Sequence, residues 1–245
     1  MAEQLVVPDA RRGPPGSGNG GWVAGELASR MRGALAAGAP VEVTLRAPVP
    51  LDVPLEVRHE EGAVSLHHGD VVVAVAVPAA ALDVDPPPAP PRADVYAVAA
   101  DTMARRLLPH PTLAGTRVGL HPICFCCGAE LGPDDGCHVE VSPLPSRGLV
   151  AGLWRCPPAL APGRTLPESI VWTALDCPGQ FAWVAERPDA VGLLGRITAA
   201  VLRPVPAGDE VLVAGWTMGG EGRKLLAGTA LYDADGDVLA VAKAI

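Results

Sequence analysis

The amino-acid sequence repeats itself. Leu45-Arg46-Ala47-Pro48-Val49-Pro50 precedes a strand-like Leu55-Glu56-Val57, and Leu202-Arg203-Pro204-Val205-Pro206 precedes Val211-Leu212-Val213. Farther along, Gly69-Asp70-Val71-Val72-Val73-Ala74-Val75-Ala76 matches Gly236-Asp237-Val238-Leu239-Ala240-Val241-Ala242. The order is the same in both halves, and the offsets agree to within a small insertion. Two copies of one unit in a single chain are expected to share a core about a pseudo-twofold axis. They are also free to diverge, one copy keeping half of a site and the other the complementary half.

Each copy reads as a helix followed by an antiparallel meander. In the first, residues 1–18 form a loose arm ending in the turn Gly13-Pro14-Pro15-Gly16-Ser17-Gly18. A helix is expected over 19–37, where Trp22, Val23, Leu27, Met31 and Leu35 recur at spacings that make one buried stripe. Gly38 ends it. Strands follow at 41–47, 53–60, 62–67 and 70–77, with turns at Glu61-Gly62 and His68-Gly69. Asp85-Pro86-Pro87-Pro88-Ala89-Pro90-Pro91 is stiff and extended, and it marks the seam between the copies. A bridging helix is expected over 93–108. The second copy opens with a cysteine-rich stretch over 121–138 and strands at 137–142 and 148–155. It continues with a long helix over 167–186 and strands at 195–203, 209–218, 223–232 and 238–245. The units are therefore 1–85 and 121–245, with a linker over 86–120.

Bulk properties narrow the function classes. Of the 245 residues 49% are apolar and 19% charged, enough for a sizeable core. A net charge of −8 argues against a nucleic-acid partner, which needs a basic face for phosphates. No apolar run is long enough to span a bilayer, so no membrane association is expected. The N-terminus lacks a basic segment followed by an apolar core, so no signal peptide is visible, and the six cysteines read as reduced thiols of a cytoplasmic protein. No P-loop, dinucleotide fingerprint or Gly-x-Ser-x-Gly elbow is present.

The helix over 167–186 is the informative element. Ile170, Val171, Trp172, Ala174, Leu175, Phe181, Ala182, Trp183 and Val184 leave almost no polar face, so a sheet must wrap it. Inside it sits one carboxylate, Asp176, with Gln180 one turn on. Burial raises the pKa of such a carboxylate, and groups of this kind concentrate at active sites. The plain alternative is a structural Asp near the bend expected at Pro178.

Helix then meander, twice over, resembles the hotdog fold: α+β, a double hotdog with two antiparallel sheets each wrapping a central helix. The motifs agree. Asn19-Gly20-Gly21 opening a helix resembles the His-Gly-Gly start of the central helix in PaaI-type acyl-CoA thioesterases. Gly222-Arg223-Lys224 with 227–236 resembles the last two strands of that family, and Cys124-Phe125-Cys126-Cys127-Gly128 resembles a Cys-Phe-x-Cys-Gly segment ahead of its first strand. Together with the Ala, Val, Arg and Pro bias of a high-GC genome, this looks like a tandem hotdog chain of actinobacterial type.

The resemblance implies a site built from two units, with a glycine amide from one and an Asp, seven residues after the corresponding glycine, from the other. Here the copies diverge in a complementary way. The first keeps Gly20-Gly21 but has Ala28 at the acid position; the second has Asp176 but Glu168-Ser169 at the glycine positions. One composite site from Asn19, Gly20, Gly21 and Asp176 is expected, with the opposite one dead, or else both departures are drift in a chain that has lost catalysis. By the resemblance the substrate is an acyl-CoA or other acyl thioester, and no cofactor is needed. Asp176 attacks the carbonyl or deprotonates a water, Gln180 orients that water, and Arg223 and Lys224 hold CoA phosphates unless they are an ordinary solvated turn. A hydratase reading lacks the His that such chemistry needs on the central helix; a non-catalytic acyl-binding or scaffold protein is the remaining alternative. Cys124, Cys127, Cys137 and His138 or His121 have the makings of a structural zinc site, but adjacent Cys137 and His138 would face opposite ways on a strand, so free thiols and no metal are favoured. Two chains are expected to pair as a homodimer.

Overall fold

The computed structural model describes residues 3–103, 122–188, 190 and 192–245. Its strands are β1 (Gln4–Val6), β2 (Val41–Leu45), β3 (Pro54–Glu60), β4 (Ala63–His68), β5 (Val71–Pro78), β6 (Ser142–Leu144), β7 (Leu149–Trp154), β8 (Arg196–Val201), β9 (Val211–Glu221), β10 (Lys224–Tyr232) and β11 (Val238–Ala244). Among the described residues the α-helices are α1 (Gly20–Met31), α2 (Arg92–Val98) and α3 (Glu168–Glu186). All the strands join in one antiparallel sheet in the order β1-β3-β4-β5-β2-β8-β11-β10-β9-β7-β6. Read outward from its middle, the order is the same on both sides: β2, β5, β4, β3, β1 and β8, β11, β10, β9, β7. The duplication seen in the sequence is thus a duplication of topology, and β6 is an addition at one edge.

The two expected sheets are halves of one because β2 pairs antiparallel with β8, Val43 facing Ile197. Both residues are fully buried, so the join extends the core rather than capping it. α1 packs on β2, β4 and β5, α3 on β7 to β11, and the two helices pack on each other at the centre. α3 buries Ile170, Val171, Trp172, Leu175, Phe181 and Val184, as its unbroken apolar surface requires.

The structure differs from the sequence reading in four places. The arm is not loose: β1 pairs with β3, because Leu5 and Val7 turn into the core. α1 stops at Met31 and continues only as a tight turn over Arg32–Ala34, with Gly38 at φ +75. The strand expected over 137–142 shrinks to Ser142–Leu144. His138 sits at φ 52, incompatible with a ladder, and the Cys137 and Val139 amides bond to the Phe125 and Cys126 carbonyls instead, at 2.7 and 2.8 Å. The bridging helix is Arg92–Val98 and stops there, since 99–102 is turn and irregular chain; of its expected span, 104–108 lies outside the described residues.

The proline-rich segment does more than separate the units. Leu82, Val84, Ala89, Val95 and Val98 lie over the outer face of the second half-sheet, on Leu144, Leu149, Leu212, Ala214, Ala230 and Tyr232. Tyr232 donates its hydroxyl to the Pro87 carbonyl at 2.8 Å, and Lys243 meets Asp83 at 2.9 Å. This explains why strands β9 to β11 are apolar on both faces: one faces α3, the other the linker. No described helix is long and apolar enough to cross a membrane.

Candidate functional site

Local chemistry fixes the start of α1. Asn19 lies in extended backbone at φ −62, ψ 127, and its side-chain oxygen accepts the Trp22 amide at 2.8 Å, as an N-cap should. Gly20 and Gly21 then occupy the first turn, where amides have no intrahelical partner. Gly21 faces α3 so closely that a Cβ would lie 2.6 Å from the Trp172 carbonyl oxygen and 2.8 Å from the Asp176 Cβ. Only glycine permits this approach.

The approach brings the amide to the acid. Gly21 N–H donates to Asp176 Oδ2 at 2.9 Å, and Asn19 Nδ2 reaches the same oxygen at 3.3 Å. One unit supplies the helix N-terminus and the other the carboxylate, across the pseudo-twofold. Desolvation pushes the Asp176 carboxyl up to about 8, the neighbouring Cys126 and Cys124 thiols adding to the effect while the Gly21 and Asn19 donors oppose it. Asp176 keeps partial exposure through a cavity of about 360 Å³ that it lines with Asn19, Gly20, Leu45, Leu193 and Leu194. The arm contributes Pro14 and Pro15 to the same walls. A smaller cavity of about 150 Å³ shares Asp176, Gln180, Gly192, Leu193 and Leu194 and adds Trp183 and Arg223.

The remaining sequence-nominated residues divide. Arg223 lines the smaller cavity, whereas Lys224 lines neither and stands exposed opposite Glu221 at the β9–β10 turn. Gln180 borders both cavities, but its amide is engaged: Nε2 donates to the Ala190 carbonyl at 2.9 Å, and Oε1 accepts the Gly192 amide at 3.1 Å. It therefore holds the loop that carries Leu193 and Leu194, rather than standing ready for a water. Cys137 and His138 do not join Cys124 and Cys127. The His138 ring instead bonds to the Gly132 carbonyl at 2.9 Å, and His121 lies outside the described residues.

At the pseudo-symmetric position the site is filled. Where the first unit has Gly20, the second has Glu168, and where the second has Gln180, the first has Arg32. These two divergent residues pair: Arg32 Nε donates to both Glu168 oxygens at 2.9 and 3.0 Å, Arg32 Nη2 donates to Oε1 as well, and Trp172 Nε1 adds a further bond at 3.1 Å. Ala28, fully buried, replaces the acid. An ion pair and a methyl group occupy what the other side keeps as amide, acid and cavity. Sequence reasoning missed this pair and the Leu193-Leu194 wall; the flanking Gly192 and Gly195 were the available signal for a loop at a site.

No family model matches the chain, and no curated protein does. Solved structures do match in fold. A Thermobifida fusca protein proposed as a thioesterase II aligns over 99% of this chain and 95% of its own, at 13% identity and TM-score 0.60. The tesB protein of Mycobacterium avium subsp. paratuberculosis covers 94% and 87%, at 14% identity and TM-score 0.56. A dehydratase domain of a mycocerosic acid synthase-like polyketide synthase covers 100% and 82%, at 18% identity and TM-score 0.55. The chain has the hotdog fold, in tandem, and its structural neighbours include proteins named for thioester hydrolysis and for dehydration.

Proposed function

We propose that the chain hydrolyses an acyl thioester of the acyl-CoA class at the single composite site. The observation that carries this reading is the convergence of the α1 N-terminus and Asp176, from different units, on one apolar-walled cavity. The thioester carbonyl sits at the start of α1, where the Gly20 amide and the helix dipole stabilise the developing oxyanion. Asp176 acts on the carbonyl directly or through a water that it deprotonates. By the direct route the C–S bond breaks to leave an acyl-aspartyl anhydride that a water then opens; by the water route the attacking water displaces the thiolate itself. In both, one water is consumed, its oxygen goes to the acid and its proton ends on the departing thiol, and the acid product remains in the Leu45/Leu193/Leu194 cavity. Arg223, at the mouth of the smaller cavity, meets the anionic end of the carrier.

A second reading is acyl-thioester binding without turnover. It is favoured by the Gly21 amide, which is already committed to Asp176. Free-thiol release from a panel of acyl-CoAs separates the two. Turnover of at least one ester is expected; saturable binding with no thiol released from any of them selects the second reading. A dehydratase reading has no support from α1 or α3, neither of which contains a His.

Gln180→Ala removes both bonds, to Ala190 and to Gly192. At about 1 kcal/mol per hydrogen bond, KM for the preferred ester is expected to rise by up to about thirty-fold, with kcat changing less. A fall in kcat at constant KM would instead place the amide in the chemical step.

A further inference from the structure

The second buried chemistry in the molecule is a knot of thiols. Cys124, Cys127 and Cys177 are all buried, and their sulfur atoms lie within 4.8 Å of one another, Cys124 and Cys177 at 3.9 Å. Two come from one loop and one from α3. A metal ion bound tetrahedrally to thiolates, with bonds of about 2.3 Å, holds its sulfurs about 3.8 Å apart. The cluster therefore stands close to the geometry of a metal site.

The backbone presents these sulfurs together. The Gly128 amide donates to the Cys124 carbonyl at 2.7 Å, closing a tight reversal over Cys124-x-x-Cys127. A Cβ on Gly128 would lie 2.6 Å from the Cys124 nitrogen and 2.7 Å from the Pro122 carbonyl oxygen, so only glycine lets the chain fold back there. The loop is pinned independently of its thiols: Phe125 N–H bonds to the Arg12 carbonyl at 2.8 Å, and Cys137 and Val139 bond back to it. The other buried cysteines are placed differently. Cys126 donates its thiol to the Thr173 carbonyl at 3.1 Å, and Cys137 and Cys156 stand outside the cluster. Packing as small hydrophobes accounts for those three, but it does not call for three sulfurs from two separate segments to face each other.

We propose that Cys124, Cys127 and Cys177 bind one soft divalent metal ion, zinc, tying the cysteine loop to α3 beside Asp176. An all-sulfur donor set selects zinc over magnesium or calcium. Binding converts three thiols to thiolates and releases three protons to solvent. Cys124 and Cys177 also line the larger cavity, so the fourth position opens toward it and takes water. The ligand set differs from the one that spacing alone suggests: Cys177 replaces Cys137 and His138. The inference does not depend on the thioesterase reading.

The test is cobalt(II) titration of the reduced, metal-stripped protein under anaerobic conditions. One cobalt per chain is expected, with thiolate-to-cobalt charge transfer in the near ultraviolet and visible bands of a tetrahedral centre. Both signals disappear in Cys127→Ser and in Cys177→Ser and persist in Cys137→Ser and Cys156→Ser. Should the serine variants fail to fold, zinc-edge X-ray absorption of the wild-type protein decides, with three sulfur neighbours at about 2.3 Å expected. Three results would overturn the proposal: no stoichiometric uptake, a first shell without sulfur, or a Cys124–Cys177 disulfide in freshly isolated protein that takes up no cobalt once reduced.

Discussion

Asp176→Asn is expected to lower thioester turnover by on the order of 10²–10⁴-fold while leaving the fold intact. The substitution is nearly isosteric, and the new side-chain oxygen still accepts the Gly21 amide now held at 2.9 Å. What disappears is the ionisable group. Because a carboxylate in this position is desolvated, its neutral replacement is also expected to match or exceed the wild-type Tm. An inactive protein of undiminished stability is the signature of a residue kept for chemistry at the expense of stability. The measurement pairs acyl-CoA hydrolysis with thermal unfolding by circular dichroism. Unchanged turnover removes Asp176 from the reaction; a large drop in Tm makes it a structural group and supports the reading without catalysis.

The two-unit plan was legible because the repeat is carried by strand-bordering motifs, such as Leu45 to Pro50 and Leu202 to Pro206, which topology preserves. The buried helix was legible because Ile170 to Val184 leaves no polar face. Asn19, Gly21 and Asp176 could be set side by side from the complementary losses at Ala28 and Ser169. The rest depends on distances between residues far apart in the chain, which periodicity does not encode. β1 is three residues long and is driven by Leu5 alone at its centre, too short a signal to separate from an arm. The 137–141 segment has strand-like composition, but the Phe125 and Cys126 carbonyls compete for its amides and win. Arg32 and Glu168 look like ordinary surface charges until the helices cross. Cys177 gives no spacing motif because its partners lie on a different segment.

Gly25→Ala is expected to destabilise the protein even though it places a better helix former inside a helix. The propensity gain is about 1 kcal/mol. Against it stands the packing of α1 on α3: a Cβ at Gly25 would lie 2.5 Å from the Ser169 Cα, 2.9 Å from the Trp172 Cβ and 3.0 Å from the Glu168 carbonyl oxygen. Two of these are backbone atoms, which no rotamer change can move aside, so the helices themselves must separate. Overpacking of this kind costs about 1–3 kcal/mol, and rigid backbone contacts place this site at the upper end. The net loss is about 2 kcal/mol, a fall in Tm of about 4–8 °C for a chain of this size. Gly33→Ala is the matched control, since nothing lies within 4 Å of its Cβ position, and its Tm should hold or rise slightly. The same separation carries Gly21, one turn away on α1, from Asp176 on α3, so hydrolysis is expected to fall in Gly25→Ala and not in Gly33→Ala. A Gly25→Ala protein that melts higher than wild type would show that the helices do not meet through these glycines, and with that the path joining the amide of one unit to the acid of the other would be lost.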